Sequence, residues 1–233
     1  TKETYDWKYA SIFVEGSAWN MAVDKPFAEN LAKLSNGRIN LKVHPIGVLG
    51  AAVEHLKMVQ TGMVDVAIIN PGFFADRLPL LTMFELAFVY DSPSHGAGLF
   101  RHFIVDKPAP ELQAYMQRYN MHPLYFWGGE HGAIQTVKPV RSIADLKGLK
   151  LRTMGGAQNY MTEAWGAVPI ALTPADVYPA MQAGTIDGVM MGNLTFQEGF
   201  RWYEVAKNFL VPTVVYSGAS GGTYMNLDLW NRL

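Results

Sequence analysis

One eight-residue pattern occurs twice in this chain, and the repetition limits the folds open to it. Gln60-Thr61-Gly62-Met63-Val64-Asp65-Val66-Ala67 is echoed by Gln182-Ala183-Gly184-Thr185-Ile186-Asp187-Gly188-Val189, at an offset of 122 residues from Asp65 to Asp187. In each copy a glycine ends a helix, two residues lead to an aspartate, and a strand begins. The segments upstream also match in pattern, Gly37 to Val43 beside Gly148 to Thr153. Solenoid units recur every ~20–50 residues, so an echo this long predicts two similar α/β lobes. Two such lobes enclose a cleft lined by the loops that follow their strands.

Strand and helix patterns alternate between the echoes, as a layered α/β fold requires. Strands are expected at 8–14, 39–43, 64–69 and 121–127. Ala22, Val23, Phe27, Leu31 and Leu34 recur near the 3.6-residue period and predict a helix over 18–34, stopped by Asn36-Gly37. Further helices are expected at 51–61, 94–103 and 109–119, around an apolar tract from Leu78 to Tyr90. The expected division is a first lobe over 1–126, a second over 127–213, and a return to the first over 214–233.

Several chemistries are excluded or disfavoured by what the chain lacks. It has no cysteine, which removes disulfides, thiol catalysis and the commonest zinc sites. A net charge of −1 without a basic stripe argues against nucleic acid. The six histidines (His44, His55, His95, His102, His122 and His131) have no metal-ligand spacing. No phosphate-binding loop is present, and no apolar stretch reaches the roughly 18 residues of a membrane span. Thr1 to Trp7 lacks the apolar centre of a signal peptide, as a mature exported protein or a cytoplasmic one would.

Gly218-Ala219-Ser220-Gly221-Gly222 matches the elbow of serine hydrolases. An elbow needs a helix directly after the serine and a later histidine. Here Thr223 to Leu227 reads as extended, and the last histidine is His131. A turn between strands is the expectation; a hydrolase using Ser220 is the competing one.

The most informative stretch is Asp145-Leu146-Lys147-Gly148-Leu149-Lys150-Leu151-Arg152-Thr153-Met154-Gly155-Gly156. It reads as a strand that runs into a glycine turn and a helix. Alternation puts Leu149 and Leu151 on one face and Lys150 and Arg152 on the other. Arg152 stands at the carboxyl end of the strand, where open α/β sheets bind small ligands. Two readings remain level: a solvated arginine paired with an acid, or a guanidinium fork for a ligand carboxylate. Trp19, Phe73, Phe74, Trp127 and Phe196 fall on the loop side of strand ends, where core packing and ligand contact are about equally expected. Trp165 sits within a helix and is assigned to the core.

Ser142 to Arg152 and Thr173 to Gly188 resemble the solute-binding proteins of TRAP transporters, the DctP-like family. Gly37-Arg38-Ile39, Val48-Leu49-Gly50 and Gln60 to Asp65 are similar to that family's N-terminal lobe. The resemblance spans nearly the whole chain. It implies the two-lobed, type II periplasmic-binding-protein fold of the α/β class, each lobe a mostly parallel sheet flanked by helices, with a hinge between. It implies a mature periplasmic protein, without catalysis, cofactor or metal, that closes on an organic acid. Its expected partners are the small-molecule carboxylate and the TRAP membrane permease subunits; it is expected to bind no nucleic acid and to be a monomer. A ligand-sensing domain on the same fold is the alternative.

In that family the arginine matching Arg152 grips the ligand carboxylate. Two departures accompany it. Many relatives carry a second arginine where this chain has Glu130-His131-Gly132-Ala133, and an asparagine where it has Met191, with Asn193 two residues on. The expected binding set is therefore Arg152 with Glu15, Trp19, Asn70, Phe73, Trp127, His131, Met154, Met191 and Asn193. Polar contacts exchanged for apolar surface favour a monocarboxylate with an aromatic or short aliphatic body over a polyol or dicarboxylate. The family also continues through further helices beyond a segment like Met225 to Trp230, so C-terminal helices are expected to be missing from this chain.

Overall fold

The repeated pattern is realised as two sheets with the same path. A computed structural model describes residues 3–86, 89–129, 133–192, 194–210 and 220–233, without the side chains of 191, 192, 194 and 195. The strands in chain order are β1 (Tyr5–Ala10), β2 (Ile39–His44), β3 (Val66–Ile69), β4 (Met121–Trp127), β5 (Ala133–Thr136), β6 (Lys150–Thr153), β7 (Val168–Ala171), β8 (Gly188–Gly192), β9 (Asn208–Leu210) and β10 (Gly221–Asn226). One five-stranded sheet has the order β2-β1-β3-β10-β4 and the other the order β7-β6-β8-β5-β9.

In the first sheet β1 runs parallel to β2 and β3, and β10 runs antiparallel to β3. In the second β6 runs parallel to β7 and β8, and β5 runs antiparallel to both β8 and β9. Both sheets are thus mixed. Each places a strand–helix–strand–helix–strand run beside two strands from elsewhere in the chain, the nearer of them antiparallel to it. The helices are α1 (Lys25–Leu34) and α2 (His55–Gln60), then α3 (Pro93–Arg101), α4 (Pro110–Arg118), α5 (Ala157–Ala164), α6 (Pro174–Gln182), α7 (Leu194–Phe200) and α8 (Leu227–Trp230).

The echo has a physical cause. The Asp65 side chain accepts from the Lys8 amide at 2.7 Å, while the Asp65 amide donates to the Lys8 carbonyl at 3.1 Å. Asp187 does the same with Lys150, at 2.8 Å in both bonds. Each aspartate ties the start of the third strand to the middle strand of its parallel trio. The glycine before it ends α2 or α6 with φ of +71° at Gly62 and +70° at Gly184, a backbone that glycine adopts without a Cβ penalty.

The upstream half of the echo is corrected by the topology. β6 takes the place of β1, not of β2, so Gly37 to Val43 corresponds to Gly166 to Ala171. A glycine followed by alternating apolar residues marks any parallel strand that follows a helix, and the pattern alone does not say which one.

Some elements differ from the periodicity. The helix expected over 18–34 is observed over that span, but it widens into a π-type turn at Asn20–Asp24 before α1, whose second residue is Pro26. Proline has no amide to donate, so the i to i−4 ladder lacks a bond there. The apolar tract after Leu78 forms a 3₁₀ turn over Pro79–Glu85.

The chain groups into two compact units. One comprises Thr1–Ile69, Pro108–Tyr125 and Gly222–Leu233; the other comprises Asn70–Lys107 and Phe126–Gly221. Residues 70–107 thus group with the second unit, where the sequence reading has them in the first. The first unit buries Tyr9, Leu56, Ile68 and Tyr224 completely. In the second, Ile134, Leu146, Leu151, Ala167 and Met190 form a core against which Trp165 packs.

Candidate functional site

Arg152 is completely buried, as is its neighbour Leu151, while Lys150 is exposed. Both faces of β6 are therefore covered at its carboxyl end, and the reading of Arg152 as a solvated arginine is overturned. Its Nε donates to the Leu172 carbonyl at 2.9 Å. Its Nη1 and Nη2 have no hydrogen-bond partner among the described residues. The Cζ atom lies 5.6 Å from the centre of the Trp202 ring. Burial lowers the guanidinium pKa from 12.5 to about 9, so the group stays cationic at neutral pH. A buried cation with two unpartnered nitrogens is a costly arrangement unless an anion completes it.

The turn after β6 is built around Arg152 by short-range hydrogen bonds. The Met154 amide donates to the Gln158 side-chain oxygen at 3.0 Å, and Thr153 Oγ1 to Asn159 Oδ1 at 2.6 Å. The Gln158 Nε2 has no partner among the described residues. Gly155 has φ of +98°, and a Cβ there would come within 2.9 Å of the Gly72 carbonyl oxygen. This turn therefore packs directly on the 3₁₀ turn Pro71–Phe74, whose first amides are organised by Asn70: its Oδ1 accepts from the Gly72 amide at 3.1 Å. Beside the two turns an open groove of about 570 Å³ runs between Thr82, Leu86, Gly156, Asn159 and Tyr160.

Glu85 also receives the Gly72 amide, at 3.1 Å to Oε1, and is fully buried. Burial raises its carboxyl from 4.5 to about 8. The folded chain thus holds a proton there that the unfolded chain releases near pH 4.5, so Glu85 makes stability fall as pH rises from about 4.5 to about 8. Glu85→Gln keeps the acceptor for Gly72 and cannot ionise. Urea midpoints measured across that range are expected to slope less in the variant than in the wild type, with the gain largest at the alkaline end.

The structure distributes the expected binding residues unevenly. Arg152, Met154, Asn70, Phe73 and Trp127 belong to the second unit. Asn70 and Met154 are buried there, and Phe73 and Trp127 are half-buried. Glu15 and Trp19 belong to the first unit, where Glu15 is exposed. Trp19 stacks on Phe13 at 4.7 Å and donates to Asp24 at 3.2 Å, so it takes part in that unit's own packing. His131 and Asn193 lie outside the described residues; Met191 is described only in its backbone, as part of β8.

Trp202 lies outside the set of residues expected from the sequence. It opens a short 3₁₀ turn after Arg201, whose φ is +56°, and such turns carry no periodic signal. The density of rings at Phe196, Phe200, Trp202 and Tyr203 is the one trace it leaves in the sequence. Ser220 is buried, its Oγ donates to the Phe84 carbonyl at 3.1 Å, and the chain continues into β10 rather than a helix. The helix that a nucleophile elbow needs is replaced by a strand, and Gly218 and Ala219 lie outside the described residues. Among the described residues no cluster of His, Asp or Glu could hold a metal ion, and no helix is long and apolar enough to cross a membrane.

Comparison with known proteins agrees with this architecture. The chain is 29% identical over 166 residues to the 2,3-diketo-L-gulonate-binding periplasmic protein YiaO of Escherichia coli, covering 70% of this chain and 49% of that protein. It is 29% identical over 185 residues to the sialic acid-binding periplasmic protein SiaP of Vibrio cholerae, covering 79% and 56%. The chain thus spans about half the length of the curated relatives it matches.

Among solved structures, a TRAP periplasmic solute-binding protein from Bradyrhizobium in complex with galacturonate is 28% identical with a TM-score of 0.83, over 98% of this chain and 74% of that one. A marine metagenome TRAP protein specific for aromatic acids, 24% identical, shares the fold with a TM-score of 0.90, over 100% and 72%. The two mixed sheets flanked by helices are the two-lobe, type II-like fold of these proteins. Residues 9–233 match the family described as bacterial extracellular solute-binding protein, family 7 (DctP), and the chain belongs to that family.

Proposed function

We propose that this chain is the ligand-capturing part of a periplasmic TRAP-type binding protein. It holds a small organic acid by its carboxylate on Arg152 and delivers it to the membrane permease. The observation that carries the proposal is the buried guanidinium whose two Nη nitrogens have no partner among the described residues. A carboxylate accepts both through parallel hydrogen bonds and supplies the missing charge. The acids named for the relatives, from diketogulonate to galacturonate, share a carboxylate and differ in their bodies.

The finer proposal is a monocarboxylate with an aromatic or short aliphatic body. Its support is the surroundings of the guanidinium: Trp202 lies over it, and Phe196 and Phe200 lie 5.8 and 5.9 Å from the Trp202 ring. Capture is proposed to involve closure of two lobes, with residues 70–107 counted in the second. The protein acts as a carrier and not as a hydrolase, since the Ser220 hydroxyl is engaged by a backbone carbonyl.

Thermal unfolding with a panel of acids tests this. An acid at a hundredfold excess over its Kd stabilises the folded state by about 2.7 kcal/mol. Benzoate or a short aliphatic acid is expected to raise the unfolding temperature, and its neutral amide is not. A rise with D-galacturonate alone would overturn the finer proposal and leave the carboxylate reading standing; no rise with any acid would overturn both.

A further inference from the structure

We propose that Trp202 is a further ligand-binding residue, whose indole N–H joins the two guanidinium nitrogens of Arg152 that have no partner among the described residues as a third donor to the ligand carboxylate. The inference rests on the carboxylate reading of Arg152. Trp202 is completely buried, and its Nε1 has no acceptor among the described residues. Buried indole N–H groups are nearly always satisfied, because desolvating a donor without an acceptor is costly. If Trp202 served packing alone, an apolar ring would fill the place without that cost.

Its position is held from several sides. Phe200 stacks on it with an interplanar angle of 24°, and Phe196 lies against it at 37°. The Trp202 carbonyl accepts the amides of Val205 and Ala206, at 3.1 and 3.0 Å, and Gln135 on β5 donates to the Ala206 carbonyl at 2.7 Å. The indole is thereby fixed with its ring centre 5.6 Å from Arg152 Cζ. The chemistry of the partner follows from the donor set. Arg152 Nε is already spent on Leu172, which leaves two nitrogens on the fork. A carboxylate offers about four lone-pair sites, enough for both and for one indole N–H. A neutral carbonyl ligand would leave the charge uncompensated.

The test uses benzoate, lactate and D-galacturonate as probes, with calorimetry and indole N–H spectra of ¹⁵N-labelled protein. The chain has six tryptophans, and the Trp202 resonance is the one lost in Trp202→Phe. For the probe that binds wild type most tightly, saturation is expected to move that resonance downfield, as hydrogen bonding does. Trp202→Phe is expected to weaken its affinity about tenfold, the loss of one hydrogen bond to a charged acceptor. Should the smaller ring fail to fold, Trp202→Tyr provides the same assignment. An unmoved resonance, or unchanged affinity in the variant, would overturn the assignment of Trp202 while leaving Arg152 untouched. Failure of the wild type to bind any of the three would instead overturn the carboxylate reading and this inference with it.

Discussion

Replacing Arg152 with alanine is expected to weaken acid binding by at least about a hundredfold, because two charge-assisted hydrogen bonds worth about 1.5–3 kcal/mol each are removed together. Calorimetry with an acid that binds the wild type reads this directly, and an unchanged dissociation constant would refute the role. The unliganded protein is expected to respond differently. Its guanidinium is buried with two nitrogens unpartnered among the described residues and a pKa pushed down to about 9. Removing such a charge relieves a penalty, while Arg152→Ala also leaves a void that costs stability.

Arg152→Met separates the two effects by filling the space without the charge. It is expected to abolish binding and to leave the urea midpoint of the unliganded protein equal to or above that of the wild type. Arg152→Lys keeps a point charge but not the planar fork, and is expected to bind more weakly than wild type and more tightly than the alanine variant. The site would then exchange stability for affinity, the opposite of what a structural ion pair does.

A large stability effect is expected at Gly188. A Cβ there would lie 2.3 Å from the Gln135 carbonyl oxygen and 2.9 to 3.0 Å from atoms of Thr136, the residue paired with it on β5. The obstacle is backbone, which gives way only if β5 and β8 separate. Gly188→Ala is expected to cost about 3 kcal/mol or more in urea unfolding. Gly184→Ala provides the contrast. It meets nothing within 4 Å and carries only the left-handed penalty of a φ of +70°, about 1 kcal/mol. Gly188 also pairs with Leu151, next to Arg152 on β6, so the alanine variant is expected to bind acids more weakly as well. A loss at Gly188 no larger than that at Gly184 would contradict the close packing described for this strand pair.

Much of the fold was legible because its signals are local. β2 and β4 fall where alternation and turn residues put them, and the aspartates of the echo are conspicuous because each makes the same pair of bonds. Arg152 was legible as a strand-end residue, but its complete burial was not. Alternation assigns faces, and only the tertiary structure reveals that the polar face of β6 is covered too. The upstream echo points to the wrong strand because glycine-then-strand is shared by β2, β6 and β7. Trp202 escaped notice for a related reason: its role depends on proximity to a residue 50 positions earlier in the chain, which no local period encodes.

The place of β10 has a consequence for how the chain is made. This strand, Gly221–Asn226, lies between β3 and β4 inside the first sheet, although it is synthesised after all the other described strands. Until residue 226 leaves the ribosome, β3 has nothing on one side, and its residues Val66-Ala67-Ile68-Ile69 are all apolar and buried only in the finished sheet. From Ile69 to Asn226 is 157 residues, on the order of ten seconds or more at typical elongation rates. For that interval the nascent chain carries an open, apolar strand edge, a template for misassociation.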